Sequence, residues 1–196
     1  MANFNVFDWL SSQGVLPGSV VGTNQWLSAG LIIRGKEAGW QRFLSWRISE
    51  HVFDVGGYDS NGKLTAYQML PKTGYTPVKA SEYGLCNLAD HIVFVAMPKI
   101  LRMNQHAQQL AAQFCLDECF QIHRQYGFDD VARNEIPQIP DNPDRRDCSV
   151  QTRFKLDAIA YAYPPEWNQN VTPYDMQRHF EASGEIVWKN YRGNIS

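Results

Sequence analysis

The sequence predicts a mixed α/β fold of the α+β kind: a mostly antiparallel sheet, one long helix packed on it and a short N-terminal helix. Three observations favour this class. Apolar residues recur at mostly every second position over residues 43–58 and 63–70, and Asn61-Gly62 between them is typical of a tight hairpin turn. Over Ile100 to Tyr126 they step by three and four, as on one helical face. A regular alternation over residues 150–161 indicates another half-buried strand.

The elements before the hairpin are expected to be short. Phe4, Phe7 and Leu10 share one helical face, so residues 4–13 are predicted to form the N-terminal helix. Over residues 20–42, glycines break up the apolar pieces, and this pattern favours only brief strands or loops.

Two further strands are predicted from short runs of apolar residues. Residues 91–97 form a run rich in Ile, Val and Phe, typical of a buried strand, and Pro98 ends its pairing. Residues 184–188 suggest a last short strand near the C-terminus. No internal repeat or low-complexity segment divides the chain, so residues 1–196 are expected to form a single domain.

The long helix and the long alternating strand are expected to face each other in the core. The helix is predicted to pack Leu110 and Phe114 onto the sheet, and Gly127 fits a left-handed helix end. On the alternating strand, Phe154 and Leu156 are the expected contacts.

Two segments are longer than minimal turns. Residues 71–88, rich in proline, glycine and polar residues, are predicted to form an inserted arm that leaves the hairpin, and residues 141–147 form a loop of mixed charge. Long loops in compact domains are usually functional, so both segments are expected to make contacts between subunits. The candidate interface residues are Tyr75, Lys79, Glu82, Tyr83, Asp144, Arg145, Arg146 and Asp147.

Composition disfavours several classes of function. The 18 Lys and Arg against 20 Asp and Glu give a net charge of −2, so no broad cationic surface for nucleic acid follows from composition. The longest apolar run, Ile92–Met97, is far shorter than the roughly 18 residues of a membrane span. The N-terminus has no signal-peptide pattern, which predicts a protein made in the cytoplasm. Aromatic residues make up 13% of the chain, which favours burial against partner subunits.

The arrangement closest to a nucleophilic site is Cys86 with Asp90 and His91. Without local signatures of cysteine enzymes around it, catalysis is not predicted there, and a small cytosolic cysteine hydrolase using Cys86 stands as the alternative function.

No metal or cofactor site is predicted either. Cys115, Cys119 and His123 step by four along the long helix, but three ligands on one straight helix converge poorly on a tetrahedral metal ion. Asp59-Ser60-Asn61-Gly62 is similar to part of a calcium loop but is explained as the hairpin turn. We therefore expect no catalytic, cofactor-binding or metal-binding residues and no enzyme activity.

The order of elements resembles the neck or tail terminator proteins of tailed bacteriophages. The resemblance rests on Val93-Phe94-Val95, the helix over residues 108–123, the segment from Arg153 to Tyr161, and Gly184-Glu185-Ile186. Val15-Leu16-Pro17-Gly18 after the first helix is also similar to the opening of that family.

This resemblance implies a structural protein of the virion. The chain would form a homo-oligomeric ring, a hexamer, at the head–tail junction, ending the tail tube and joining it to the head connector. Its partners would be copies of itself and the neighbouring connector and tube proteins, with DNA passing through the lumen without sequence-specific binding. Another head–tail assembly protein of similar fold is the closest alternative.

Overall fold

A computed structural model of the chain describes residues 5–25, 49–83, 90–127, 144–168 and 171–190. The fold is mixed α+β, as the sequence predicts: helices pack on an antiparallel sheet. Over the described ranges, no helix combines the length and the apolar character needed to cross a membrane.

The sheet has six strands in the order β4-β3-β2-β1-β5-β8, and all neighbouring strands run antiparallel. A second, two-stranded parallel sheet joins β6 to β7. The strands are β1 (Val20–Gln25), β2 (His51–Tyr58), β3 (Leu64–Leu70), β4 (Gly74–Pro77), β5 (Asp90–Ala96), β6 (Gln125–Tyr126), β7 (Arg145–Arg146) and β8 (Ile186–Lys189).

Five α-helices lie in the described parts of the chain. They are α1 (Val6–Ser12), α2 (Lys99–Met103), α3 (Gln105–Leu116), α4 (Cys148–Ala158) and α5 (Pro173–Ala182). Asp117–Gln121 continues α3 as a π-helical turn, and Pro165–Asn168 forms a 3-10 turn before α5.

The sheet separates two layers of core. On one face, α2 to α5 pack apolar side chains such as Leu101, Ala111 and Phe180 against strand residues such as Val52 and Phe94. On the other face, α1 packs against the alternate strand positions, with Val6, Leu10, Val21, Phe53 and Ile92 in contact. Successive side chains of a strand point to opposite faces, so one strand serves both layers.

The predicted hairpin is confirmed. β2 and β3 pair antiparallel from Phe53 opposite Gln68 to Tyr58 opposite Leu64. Asp59 accepts hydrogen bonds from the backbone N–H groups of Asn61 and Lys63. Gly62 has φ +73°, a conformation that favours glycine.

The short N-terminal helix is also confirmed, as α1. Its cap is Asn5, whose side chain accepts from the N–H groups of Phe7 and Asp8. The predicted strand over 91–97 and the last strand over 184–188 correspond to β5 and β8, which pair with each other.

The predicted arm does not leave the hairpin in its described part. β4 pairs with β3 and forms the edge of the six-stranded sheet, and Val78 and Tyr83 beyond it are buried. The last residues of the predicted arm, 84–88, lie outside the described residues. The prediction was wrong over 71–83 because polar and glycine residues there alternate with side chains that reach the core.

The single long helix is replaced by α2, α3 and the π-helical turn. Asn104 has extended backbone angles and caps α3 by accepting from the N–H of His106 at 2.9 Å. The predicted inward residue Leu110 is exposed, and Phe114 is only half-buried. The buried face instead carries small side chains at four-residue spacing, namely Ala107, Ala111, Cys115 and Cys119. Small residues let the helix lie close to the sheet.

The predicted long strand over 150–161 is wrong, because most of this segment forms α4. Its buried positions recur with helical spacing: Cys148, Ser149, Gln151, Thr152, Lys155 and Leu156. Phe154 is half-buried outside the sheet, and the guanidinium of Arg146 lies 3.7 Å from the centre of its ring. Only Leu156 of the two predicted strand contacts lies in the core.

Candidate active site at the start of helix α4

Cys148 is the first residue of α4 and lies at its N-terminal end. Asp147 precedes it as the helix cap, with its Oδ1 accepting from the backbone N–H of Val150 at 2.7 Å and from the hydroxyl of Ser149 at 2.9 Å. The first turn of a helix has unpaired N–H groups and a partial positive charge. A thiol placed there meets donors that favour its anionic form.

Backbone N–H groups of three residues lie near the Cys148 sulfur: those of Val52, Ser149 and Cys148 itself. Burial raises the pKa of the thiol, and the nearby Asp147 carboxylate acts in the same direction, while the three N–H groups oppose both. The side chain is 8% exposed. Burial and the carboxylate outweigh the N–H groups, so the thiol is protonated in the free protein.

His51 precedes Val52 on β2 and is buried. Its Nε2 lies 3.3 Å from Oε1 of Gln68, and the same oxygen accepts from the Tyr83 hydroxyl at 2.6 Å. Burial lowers the pKa of His51 to about 4, against the opposing effects of the Gln68 hydrogen bond and the Asp54 charge. The imidazole is therefore neutral at pH 7, in the form that can accept a proton.

The thiol and the imidazole lie on opposite faces of the sheet. Cys148 packs with Val52 in the helix-side core, whereas Tyr83, the partner of Gln68, packs in the opposite layer. His51 directly precedes Val52 on β2, so its side chain points away from α4 and hydrogen-bonds Gln68. The imidazole is therefore not placed to take the proton of the Cys148 thiol.

A buried ion pair holds α4 on β2. Nζ of Lys155 lies 2.8 Å from Oδ1 of Asp54, and both side chains are almost fully buried. The carboxylate also accepts from Thr152 at 3.0 Å and from the Tyr75 hydroxyl at 2.8 Å, while Lys155 donates to the carbonyl of Ser19 at 3.2 Å. These bonds fix the register of α4 two turns below Cys148.

The cysteines of α3 and its π-helical extension are core residues. The Cys115 sulfur lies 3.3 Å from the Tyr75 hydroxyl, and burial raises the pKa of its thiol to about 12. Cys119 is buried too. Across the described ranges, no group of three His, Cys, Asp or Glu side chains could hold a metal ion, which includes the Cys115, Cys119 and His123 set.

The structure brings only some of the predicted interface residues to the surface. Tyr75 and Tyr83 are buried in the two core layers, so their side chains offer no surface to another subunit. Asp147 is buried as the cap of α4, and Arg146 is mostly buried beside Glu118 at 3.4 Å. Lys79, Asp144 and Arg145 are exposed, and Glu82 is half-buried with its carboxylate bonded to the N–H of Lys79.

The predicted alternative at Cys86 cannot be assembled from the described residues. Cys86 and the side chain of Asp90 lie outside them, and His91 is buried on β5.

Analysis of the sequence missed Cys148, His51 and Gln68. One signal could have found the cysteine: Asp147 is a strong helix cap, and a cysteine directly after such a residue lies at a helix N-terminus. Assigning the segment to a strand concealed this pattern. His51 and Gln68 carry no local signal, because they meet only through the pairing of β2 with β3.

The lowered pKa of His51 predicts a loss of stability in acid. The unfolded chain takes up this proton near pH 6.5 and the folded chain only near pH 4. The stability is complete above pH 6.5 and declines as the pH falls towards 4, because the unfolded state then binds more protons. Between pH 7 and 5 the loss from this group is about 2 kcal/mol.

Urea unfolding of the wild type and of His51→Gln at both pH values checks this. Glutamine does not titrate, so the variant should lose about 2 kcal/mol less than the wild type between pH 7 and 5. Carboxylates and His179 titrate in both proteins and cancel in the comparison. Equal losses in the two proteins would contradict the assigned burial of a neutral imidazole.

Comparisons of the chain with protein-family models, with curated proteins and with solved structures find no match. A function must therefore be argued from this chain's own residues. Among the described residues, Cys148 at the start of α4 is the candidate nucleophile.

Proposed function

We propose that the protein is a cysteine-dependent hydrolase or acyltransferase in which Cys148 is the nucleophile. The observation that carries this proposal is the position of Cys148 as the first residue of α4, where its sulfur lies beside backbone N–H groups and the helix dipole favours negative charge.

In the first step the Cys148 thiol gives its proton to solvent as the sulfur attacks the carbonyl carbon of an ester or amide. The new S–C bond moves the carbonyl π electrons onto oxygen, giving an oxyanion. This oxyanion can take hydrogen bonds from N–H groups at the start of α4, where the helix dipole also favours negative charge.

The tetrahedral species then collapses to a thioester. The C–O or C–N bond to the leaving group breaks, and the leaving alcohol or amine takes a proton from solvent. Water then attacks the thioester, and its two protons end on the released carboxylic acid and the free thiol. If an amine or alcohol replaces water, the same site transfers the acyl group.

Alkylation of the native protein with iodoacetamide, resolved by peptide mass spectrometry, tests the nucleophile. Cys148 should react faster than Cys115, which is fully buried and lies in the last turn of α3, away from a helix N-terminus.

Hydrolysis of p-nitrophenyl acetate tests the chemistry. The wild type should release p-nitrophenol in a burst as the thioester forms, and Cys148→Ser should remove the burst. Cys115→Ser is the matched control and should retain it. No burst in the wild type, together with equal alkylation of Cys148 and Cys115, would overturn the proposal.

A ring at the head–tail junction of a bacteriophage is the second candidate. Besides the resemblance in sequence, exposed apolar side chains around α3 support an oligomer. Met103 is 81% exposed, and Leu110, Leu116, Phe120 and Ile122 are exposed as well. Subunit contacts would remove such groups from water. In this role the protein would be a virion component with itself, the connector and the tube protein as partners.

Light scattering over a concentration series separates this candidate from a monomeric enzyme. A ring should give a mass several times that of the chain, and Phe120→Asp with Ile122→Asp should lower it. Ser11→Asp, at an exposed position of α1 on the other face of the sheet, is the control. A wild type that stays monomeric at high concentration and with connector or tube protein present would exclude the ring.

A further inference from the structure

We propose that Gln151 binds the carbonyl oxygen of the substrate, its side-chain NH2 group donating a hydrogen bond to the oxyanion that forms when Cys148 attacks. The inference rests on the nucleophilic role proposed for Cys148. It adds a side-chain donor to the backbone N–H groups at the start of α4, and it assigns a task to a buried amide whose bonding the fold leaves incomplete.

The amide of Gln151 is buried with one of its two ends unbonded. The residue is 0% exposed, and its Nε2 has no hydrogen-bond partner within the described ranges. A buried donor without a partner destabilises the folded state, because water bonds the same group in the unfolded chain. Native proteins contain few such groups, and a catalytic role is one reason to keep one.

Arg146 determines which end of the amide is free. Its Nη1 lies 3.2 Å from Oε1 of Gln151. A guanidinium only donates hydrogen bonds, so the atom facing it must be the amide oxygen and not the NH2 group. Arg146 is itself held by the Glu118 carboxylate at 3.4 Å and by the Phe154 ring, whose centre lies 3.7 Å from the guanidinium. The NH2 group of Gln151 is therefore the end that remains available.

Gln151 lies one helical turn after Cys148, and both residues are on the buried side of α4. Residues three apart lie about 60° from each other around a helix axis, with Cβ atoms about 5–6 Å apart. Long helical side chains point back toward the N-terminus, and the bond to Arg146, two positions before Cys148, shows that this one does. An acyl oxygen lies about 3 Å from the sulfur that carries the acyl carbon, which places it within reach of this NH2 group.

The hydrogen bond from Gln151 would become strong only when negative charge develops. A bond from an amide N–H to an oxyanion is stronger than one to a neutral carbonyl oxygen, and exclusion of water from a buried site increases the difference. The amide therefore stabilises the tetrahedral species more than it stabilises the bound ester. Gln151 gives up neither a proton nor an electron in this step.

Two reactions of the same thiol separate this role from a structural one. Acylation by p-nitrophenyl acetate passes through an oxyanion, whereas iodoacetamide loses iodide from a saturated carbon and forms none. Both reactions use the Cys148 thiolate, so the ratio of the acylation rate to the alkylation rate cancels changes in thiol ionisation. Gln151→Met keeps a similar shape without the NH2 group and should lower this ratio by about a hundredfold.

A second variant and a matched control make the result specific. Gln151→Glu keeps an oxygen for Arg146 and replaces the donor with an acceptor, so it should lower the ratio at least as much, and it tests the proposal even if Gln151→Met does not fold. Gln68 is 1% exposed and its Nε2 also lacks a partner among the described residues. It lies opposite Phe53, whose side chain packs in the other core layer, so Gln68→Met should leave the ratio unchanged.

Each outcome bears on one of the two proposals or on both. An unchanged ratio in the folded Gln151 variants, with a burst in the wild type, would overturn the inference and leave Cys148 as the nucleophile. An equal fall in Gln68→Met would show a general loss of packing and would overturn the inference as well. No burst in the wild type would refute the proposed function, and with it the oxyanion assigned to Gln151.

Discussion

Replacing Asp54 with alanine is expected to lower the free energy of unfolding by about 3–5 kcal/mol, because it leaves the Lys155 ammonium buried without its counter-charge. The pair is 2.8 Å apart and almost without solvent access. The substitution also removes the acceptor of the Thr152 and Tyr75 hydroxyls. Equilibrium unfolding in urea measures the loss.

Two comparisons make the result specific. Asp54→Leu combined with Lys155→Met removes both charges and should recover more than half of the loss, since an apolar replacement of a buried pair is often tolerated. Asp8→Ala removes an exposed partner of Lys63 at 3.5 Å and should change stability by less than about 1 kcal/mol. Similar effects of Asp54→Ala and Asp8→Ala would contradict the burial of the pair.

The same ion pair links stability to the candidate site. Lys155 and Thr152 lie on α4, whose first residue is Cys148, and Asp54 lies on β2 two residues after Val52. A helix anchored in this way cannot slide along the sheet without breaking several buried polar bonds. The Cys148 sulfur therefore keeps its place beside the backbone of Val52.

The elements that could be predicted from the sequence are those with local causes. The hairpin depends on Asn61-Gly62 and the alternation on each side of it, and α1 depends on a short apolar face. The strand at β5 is a continuous run of residues that are buried whichever face they point to. In each case the signal lies within a few neighbouring residues.

Helix α4 shows why other elements could not be predicted. Its core-facing side carries Gln151, Thr152 and Lys155, polar residues that an apolar periodicity counts as exposed. Lys155 is buried because Asp54 and the carbonyl of Ser19, each about a hundred or more positions away in the sequence, satisfy its charge and hydrogens. A pattern read over a short stretch of sequence cannot show contacts with residues so far away in the chain.

Helix α5 differs from α4, because the residues that mark its start lie next to one another in the sequence and could have predicted it. Thr172 and Asp175 form a capping box, with the Thr172 hydroxyl accepting from the N–H of Asp175 and the Asp175 carboxylate accepting from the N–H of Thr172. Pro173 occupies the first helical position, where proline is favoured. These three residues alone predict a helix start.

The edge strand β4 provides the second large effect on stability. Gly74→Ala is expected to cost about 3 kcal/mol, since a methyl group there meets two penalties. Gly74 has φ +70°, and a Cβ on it would lie 2.2 Å from the backbone oxygen of Arg124. That oxygen accepts from the N–H of Tyr75, so it cannot move away without breaking the bond that joins β4 to the segment before β6.

Gly62→Ala is the matched control for backbone conformation. Gly62 has φ +73° in the hairpin turn, and a Cβ there would have nothing within 4 Å. This variant should lose only about 1 kcal/mol, the cost of a left-handed conformation for an L-residue. Urea unfolding of the two variants therefore isolates the contact with Arg124. Equal losses in the free energy of unfolding would show that β4 does not pack closely against that backbone. Such a result would favour the inserted arm that the sequence predicts for residues 71–83.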